Sequence, residues 1–511
     1  MQIKKTNPSI MRSTGYRIMS GSIASWVRIG ITLISQIIMV PLFLNSWEIK
    51  TYGAWLLLHS TWAIINIMDL SYHDYIGYEC LKQGQYRSAQ INEIISSSLA
   101  FSILVALIDI VVILILNWSP LIADLVTDDP IILWQWKISL LLLGCNWAIT
   151  GAWGGILSRW ITPFGHYHQL AWWNTFNILL ITTLPVLAVF YGANLMGATI
   201  AWCLGSLFAH IVLLIFLRSV IRAKPYLRLH KPNIKKGLDR LLLSLVFSVK
   251  YYSDIFRQQG VRIFLAPIVG LVQMTSFSTM RTAANVSMQG LSTITNPIMP
   301  ELMNYIIKKD QNRIEGLFSS VWLGLIFILN PGILLLQYYF PLIFQLWTAN
   351  KISMNPMLFG FFSASILVFA LSQPAFAVVK GINNVAMQII IALALAAIVI
   401  IGSILLIPNL GILGVGISLL IAEIFSLFCF VTLASVYLKE INLRWPAKQF
   451  IIALALVTIN MLSLFCIVTK SYGILAVSNI IYLIVLTYFI IHIPKILINK
   501  IKRILNTSIF K

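Results

Sequence analysis

The sequence predicts an all-α polytopic membrane protein, and two observations predict it: the composition and the spacing of apolar segments. Of the 511 residues, 59% are hydrophobic and 10% are charged, against about 25% charged residues in an average soluble domain. The mean hydropathy is +0.88. Because one bilayer crossing takes about 20 residues, the chain has room for well over a dozen crossings. A soluble fold is excluded.

About 14 transmembrane helices are predicted, joined by short loops. The basic N-terminus precedes an apolar run that is too long and too polar for a cleaved signal peptide, so this run is predicted to remain as the first helix. The predicted helices lie at about 18–44, 52–71, 94–118, 131–158, 170–191, 195–217, 241–259, 271–306, 316–340, 357–379, 386–407, 411–437, 449–469 and 474–493.

The distribution of basic residues predicts the orientation. Lys and Arg number 36 against 16 Asp and Glu, a net charge of +20, and most of the basic residues fall at the termini and in the even-numbered loops. Cytoplasmic loops carry such an excess, so both termini are predicted to be cytoplasmic. The basic residues form small groups between apolar runs, with no basic arm and no stripe of basic and aromatic residues, which argues against nucleic-acid binding.

The largest basic loop predicts the division of the chain. It runs from Arg218 to Arg240, follows the sixth helix and contains Pro225 and Pro232, which break helix continuity. Two six-helix lobes around a central cavity, followed by two additional helices, are a plan that transporters use. The predicted parts are an N-lobe, a C-lobe and a C-terminal segment with a basic tail, at residues 1–230, 231–445 and 446–511.

Polar side chains at helical spacing mark one face on each of four predicted helices. An ionisable group inside a bilayer costs several kcal/mol and is a functional candidate by default. The polar faces lie on helices one and two and again, six helices later, on helices seven and eight. A six-helix repeat around one cavity predicts this pattern. The polar residues are Ser25, Arg28, Thr32 and Gln36 in helix one, His59, Asn66, Asp69 and His73 in helix two, Lys250, Asp254 and Arg257 in helix seven, and Arg281, Asn285, Gln289, Ser292 and Asn296 in helix eight.

The charges on these faces predict an anionic ligand. Basic residues outnumber the two acidic ones, and the planar fork of arginine suits phosphate because it donates two parallel hydrogen bonds. The predicted residues for binding a pyrophosphate or head group are Arg28, Arg281, Lys250 and Arg257. Polar cavity or coupling candidates are Asp69, Asp254, Asn285, Gln289 and His59.

Structural alternatives exist for several of these residues. Lys250 and Asp254 stand one helical turn apart and could neutralise each other. Asp69 could cap a helix or make a helix-packing bond, and Arg257 could extend to the outer interface. Arg28 has no acidic neighbour on its own helix, and neither has Arg281, so these two are the strongest candidates.

The sequence contains no catalytic constellation. Its five cysteines lack ligand spacing, and the His166-x-His168 pair has no third ligand nearby. We therefore expect a transporter rather than an enzyme, with no cofactor and no metal.

Two segments resemble polysaccharide flippases of the Wzx type, in the multidrug/oligosaccharidyl-lipid/polysaccharide exporter superfamily. The first is SQIIMVPLFLNSWEIKTYGAWLLLHSTWAIINIMDLSYHDYIGYE, with Pro41, Tyr52-Gly53 and Asp69-Leu70 as the family-like elements; Ser71 stands where the family usually has Gly. The second runs from Arg281 to Asn285 and continues in NPIMPELMNYI.

The resemblance implies two lobes that alternate access to a cationic cavity in a bacterial cytoplasmic (inner) membrane. Its implied cargo is a polyprenyl-pyrophosphate-linked oligosaccharide, flipped to the outer leaflet for surface polysaccharide biosynthesis such as O-antigen, with membrane lipids and a polysaccharide polymerase as further partners. By position, Arg28 and Arg281 are implied to hold the pyrophosphate. The alternative is a cation-coupled multidrug exporter of the same superfamily, which would need an acidic cavity.

Overall fold

The computed structural model describes residues 8–84, 86–255, 259–295, 298–382 and 385–491. Across these ranges the regular structure is helical, and eleven helices are long and apolar enough to cross a membrane. The predicted all-α polytopic class is therefore confirmed.

Three of the predicted crossings do not belong to these eleven, namely the second, the seventh and the eighth. The second is divided into two helices of 17 residues each. The seventh and eighth carry many charged, serine and threonine residues. Together with the first helix, these are the helices on which the sequence places polar faces; the break shortens the second crossing, and polar residues lower the hydropathy of the seventh and eighth.

The chain forms two compact units, Met1–Thr275 and Ser276–Lys511. The helices of the first unit are α1 (Pro8–Ser46), α2 (Ile49–Ile65), α3 (Ile67–Gln83), α4 (Ser88–Trp118), α5 (Leu121–Val126), α6 (Pro130–Ile149), α7 (Gly151–Ile161), α8 (Tyr167–Phe190), α9 (Leu195–Ala223), α10 (Ile234–Ile255) and α11 (Val261–Val269). The predicted lobe boundary at residue 230 stays a prediction.

The first unit is built around α3, α4, α7 and α9. Their buried core includes Tyr72, Ile95, Trp160 and Leu213, and α1 lies along α8 at its side. Helix α10 packs on α3 and α4 through small residues, where the hydroxyl of Ser248 contacts that of Ser71. Small side chains let helix backbones approach closely in a membrane.

Two crossings of the first unit are interrupted next to each other. Asn66 separates α2 from α3 with φ −76° and ψ 1°, a sparsely populated conformation. Thr150 separates α6 from α7, and its hydroxyl donates to the carbonyl of Asn146 at 2.6 Å, a bond that bends helices. Helices that the sequence predicts as continuous over 52–71 and 131–158 are therefore broken.

The segment between α9 and α10 is tied to the end of α4. The Asn92 amide donates to the carbonyl of Tyr226 at 2.8 Å, and the Ser96 hydroxyl accepts the backbone N–H of His230 at 2.8 Å. An ion pair between Lys236 and Glu93 adds a contact of 2.7 Å. The loop that separates the predicted lobes is thus fixed to the first unit.

The second unit surrounds a largely buried helix, α16. Its helices are α12 (Leu271–Thr295, which begins in the first unit), α13 (Ile298–Ile307), α14 (Gln311–Gly324), α15 (Asn330–Trp347), α16 (Pro356–Gly381), α17 (Val385–Leu410), α18 (Ile412–Glu440), α19 (Ala447–Val468) and α20 (Tyr472–Ile491). Helices α18 and α19 pack on α16, and α20 packs on α19.

A π-helical segment, Leu325–Leu329, joins α14 to α15. The Tyr482 hydroxyl of α20 donates to the carbonyl of Ile326 at 2.8 Å, and the Asn460 amide of α19 donates to that of Asn330 at 3.2 Å. These bonds satisfy one carbonyl group inside the π-helical segment and one directly after it, and they attach the two C-terminal helices to the rest of the second unit.

Replacing Gly155 with alanine should destabilise the first unit. A Cβ atom there would overlap two ring atoms of His73, and overpacking of this kind costs about 1 to 3 kcal/mol. The matched control is Gly30→Ala on α1, where a Cβ meets nothing within 4 Å. We expect a lower thermal unfolding midpoint for the first variant and no decrease for the second; equal midpoints would contradict the packing described here.

Candidate functional site

A cavity of about 440 Å³ lies within the first unit, between α1, α3, α7 and α8. Two of its lining residues are arginines, Arg28 from α1 and Arg159 from α7, and one is a carboxylate, Asp74 from α3. Further polar side chains on the wall come from Ser25, Tyr78, Tyr167 and Asn174. The predicted candidate Arg28 therefore lines a cavity.

The charges on the cavity wall are unequal. Arg159 donates through Nη2 to Oδ1 of Asp74 at 2.6 Å, so this pair is neutral. Arg28 is exposed, and none of the described carboxylates is within ion-pair distance of its guanidinium. One positive charge is left to attract an anion, and its guanidinium can donate two parallel hydrogen bonds to phosphate oxygens.

Gly77 explains how Arg159 reaches this wall. A Cβ atom at Gly77 would lie 3.1 Å from Cδ and 3.3 Å from Nε of Arg159, so the arginine stem lies directly across the α3 backbone. Asp74 stands one turn earlier on the same helix and receives the guanidinium. Glycine at this crossing leaves room for the ion pair.

A buried polar network lies where the two interrupted crossings meet. Asp69 on α3 is fully buried; its carboxylate accepts from the Ser102 hydroxyl of α4 at 3.0 Å and from the Trp147 indole N–H of α6. The His73 Nε2 lies 3.3 Å from the same carboxylate and 2.8 Å from the carbonyl of Ala152 on α7. Four helices are thereby joined through one predicted candidate, Asp69.

A second buried carboxylate, Asp109, lies on α4 two turns beyond Ser102. It is 4% exposed, and its Oδ2 accepts no hydrogen bond within the described part of the chain. The first unit therefore holds two acidic side chains in its interior, only one of which is enclosed by donors.

Five residues before the end of α2, Ser60 contacts Arg262 on α11. Its Nη1 donates to Oε1 of Gln259 at 2.8 Å and to the Ser60 hydroxyl at 3.4 Å, while its Nε is buried without an acceptor. The predicted candidate His59 is adjacent, with its ring 4.2 Å from that of Trp55. Sequence reasoning assigned Arg262 to an outer loop and missed this contact.

In the second unit, Arg281 is buried on α12. It is 8% exposed, and its guanidinium lies 5.7 Å from the centre of the Phe277 ring. Asn285 and Gln289 follow at intervals of four residues and are partly exposed, so the three share one face of α12. Replacing Arg281 changes packing as well as charge.

The remaining candidates lie outside the part of the chain that can be described. Arg257 is beyond the described residues, and so are the side chains of Lys250 and Asp254. Their assignment to an anion site stays a prediction.

Several residues of these sites were missing from the sequence-based candidates. Asp74, Arg159 and Arg262 were assigned to loops or to helix ends, and Ser102 and Trp147 carry no pattern of their own. The contacts join positions far apart in the chain, so helical spacing gives no signal for them. A signal that could have been used is the run of glycines around Gly155, which is typical of close helix approach.

No protein-family model and no curated protein matches the chain, but solved structures do. A multidrug resistance MATE family transporter of the MOP superfamily, inward-facing, gives a TM-score of 0.64 at 12% identity over 82% of this chain and 99% of that one. The lipid II flippase MurJ, in an inward closed conformation, gives a TM-score of 0.60 at 14% identity. That match covers 92% of this chain and 98% of the MurJ chain. The chain has the fold that MATE transporters share with MurJ. The MATE multidrug transporter DinF-BH gives a TM-score of 0.56 at 16% identity, over 84% of this chain and 97% of the DinF-BH chain.

This likeness shows the fold; membership of the superfamily and the Wzx-type assignment stay predictions. The MurJ match also extends further along this chain than the two MATE matches.

Proposed function

We propose that this protein flips a polyprenyl-pyrophosphate-linked oligosaccharide from the cytoplasmic to the outer leaflet of a bacterial inner membrane, by alternating access, for surface polysaccharide biosynthesis. The observation that carries the proposal is the cavity of the first unit, where Arg28 adds a positive charge to a neutral Arg159–Asp74 pair. An anionic head group fits this charge, whereas a cationic drug does not.

The membrane potential supplies a direction for this transport. It contributes about 2.3 kcal/mol per charge per 100 mV. With the inside negative, outward movement of a pyrophosphate is favoured, and so is the inward return of an empty cationic site. The polyprenyl chain stays in the lipid, and no chemical step is required of the protein. We therefore propose a transporter without enzymatic activity.

The second candidate is a cation-coupled multidrug exporter of the same fold. The observation that favours it is the pair of buried carboxylates, Asp69 and Asp109, in the first unit. The donors around Asp69 satisfy its charge locally, which leaves less of that charge for a cationic substrate. The exporter is therefore the weaker candidate.

Mass spectrometry of polyprenyl-linked glycans in cells lacking the protein tests the proposal, together with a stain for surface glycan. We expect lipid-linked repeat units to accumulate while the surface loses its glycan, and the mass of the repeat would identify the cargo. Re-expression of the wild-type chain should reverse both effects. Unchanged lipids and an unchanged surface would refute the flippase, and dye efflux would then test the exporter.

A further inference from the structure

The charge environment of Arg262 is unusual for a side chain that contributes only to stability. Its hydrogen-bond acceptors, Gln259 and Ser60, are both neutral, and among the described residues no carboxylate pairs with it. Its Nε is buried without an acceptor. A positive charge held in this way inside a membrane protein is costly unless it has an anionic partner.

The backbone around Arg262 is helical on both sides. Residues 259 and 260 form a π-helical turn, and Gly260 has φ −61° and ψ −29°, so the chain enters α11 already helical. A free helix end is what attracts anions through the helix dipole, and α11 does not begin at one. The guanidinium of Arg262 is therefore the group that would attract an anion here.

The site is separate from the cavity around Arg28. Arg262 contacts α2 at Ser60, while the cavity borders α3 at Gly77. The two positions lie on different helices, on either side of the break at Asn66. By the predicted orientation, the cavity lies toward the cytoplasmic side and Arg262 toward the outer side.

We propose that Arg262, with Gln259 and Ser60, forms a second anion site that receives the phosphate-bearing head group after it leaves the Arg28 cavity. The inference rests on the proposed function and deepens it, because it assigns an outer binding site to the same cargo class. Arg262 supplies the charge, and the Gln259 and Ser60 side chains orient its guanidinium. His59 precedes Ser60 in α2, and its ring contacts the ring of Trp55.

Equilibrium binding to the purified full-length chain tests the second site, with farnesyl pyrophosphate as the probe of a lipid head group. Wild-type protein should bind two probe molecules, and Arg28→Gln and Arg262→Gln should each bind one. Arg262→Gln should weaken the outer site at least tenfold. The same titration with inorganic pyrophosphate distinguishes the source of the anion, because a site that takes only the soluble probe is not a lipid head-group site.

Two variants separate charge from packing. Arg262→Lys keeps the charge and should still bind two probe molecules. If Arg262 served only packing, the lysine variant would bind no more probe than Arg262→Gln, which also retains hydrogen-bonding groups. Arg218→Gln removes a positive charge from the exposed surface of α9, away from both sites, and should leave two bound probes. Size-exclusion profiles identify any variant that fails to fold. If Arg262→Gln does not fold, the number of probes bound by Arg262→Lys tests the second site.

A cell experiment distinguishes failure of this site from failure of the proposed function. Arg262→Gln should lower surface glycan at least tenfold while lipid-linked glycan still co-purifies with the protein, since the Arg28 cavity is intact. Two bound probes and normal surface glycan in Arg262→Gln would overturn the outer site and leave the flippase standing. Failure of lipid-linked glycan to accumulate in cells lacking the protein would overturn the flippase itself.

Discussion

Replacing Arg28 with glutamine should reduce surface glycan by about 10- to 100-fold. The substitution removes the unneutralised charge from the cavity wall and leaves the Arg159–Asp74 pair intact. A charge-assisted hydrogen bond contributes about 1.5 to 3 kcal/mol, and each 1.4 kcal/mol is about a factor of ten in binding. The measurement is quantitative glycan staining of cells that express the variant in place of the wild type.

The control for this experiment is Arg218→Gln. Arg218 lies on the exposed surface of α9 and does not line the cavity. We expect wild-type glycan for the control, and equal amounts of both variants in the membrane by immunoblotting. Because Arg28 is exposed and packs against little, its loss should not change folding. Normal glycan in Arg28→Gln at a normal protein level would exclude Arg28 from the site.

Replacing Asp69 with alanine should lower the free energy of unfolding by about 2 to 6 kcal/mol, because it removes the acceptor of two buried neutral donors. The Ser102 hydroxyl and the Trp147 indole N–H would lose their acceptor inside the protein, and each orphaned donor costs about 1 to 3 kcal/mol. The measurement is the thermal unfolding midpoint of the purified protein in detergent.

Two further variants serve as an intermediate case and as a control for this prediction. Asp69→Asn keeps an oxygen that accepts from one donor, so its midpoint should fall between those of the wild type and Asp69→Ala. Asp124→Asn removes an exposed carboxylate and should leave the midpoint unchanged. If Asp69→Ala unfolds at the wild-type temperature but stops transport, Asp69 acts in the transport cycle rather than in joining the four helices.

Helical periodicity predicted where the polar faces lie but not what the polar side chains contact. The spacing of His59 and Asp69 places both on one face of a continuous helix. The break at Asn66 instead separates them: His59 lies against Trp55, and Asp69 accepts from Ser102 and Trp147. Periodicity assumes constant helix geometry, and nothing in the sequence of this segment, such as a proline, indicates the break.

The sequence alone determined that the chain is an all-α membrane protein, because hydropathy and length act residue by residue and need no partner. It also identified Arg28, whose charge lies inside an apolar helix with no acidic residue one turn away. Only the tertiary structure decided that Arg159 and Asp74 join Arg28 in one cavity and that Arg262 meets Ser60. These are contacts between helices distant in the chain, and such contacts depend on how helices cross, which no local pattern encodes.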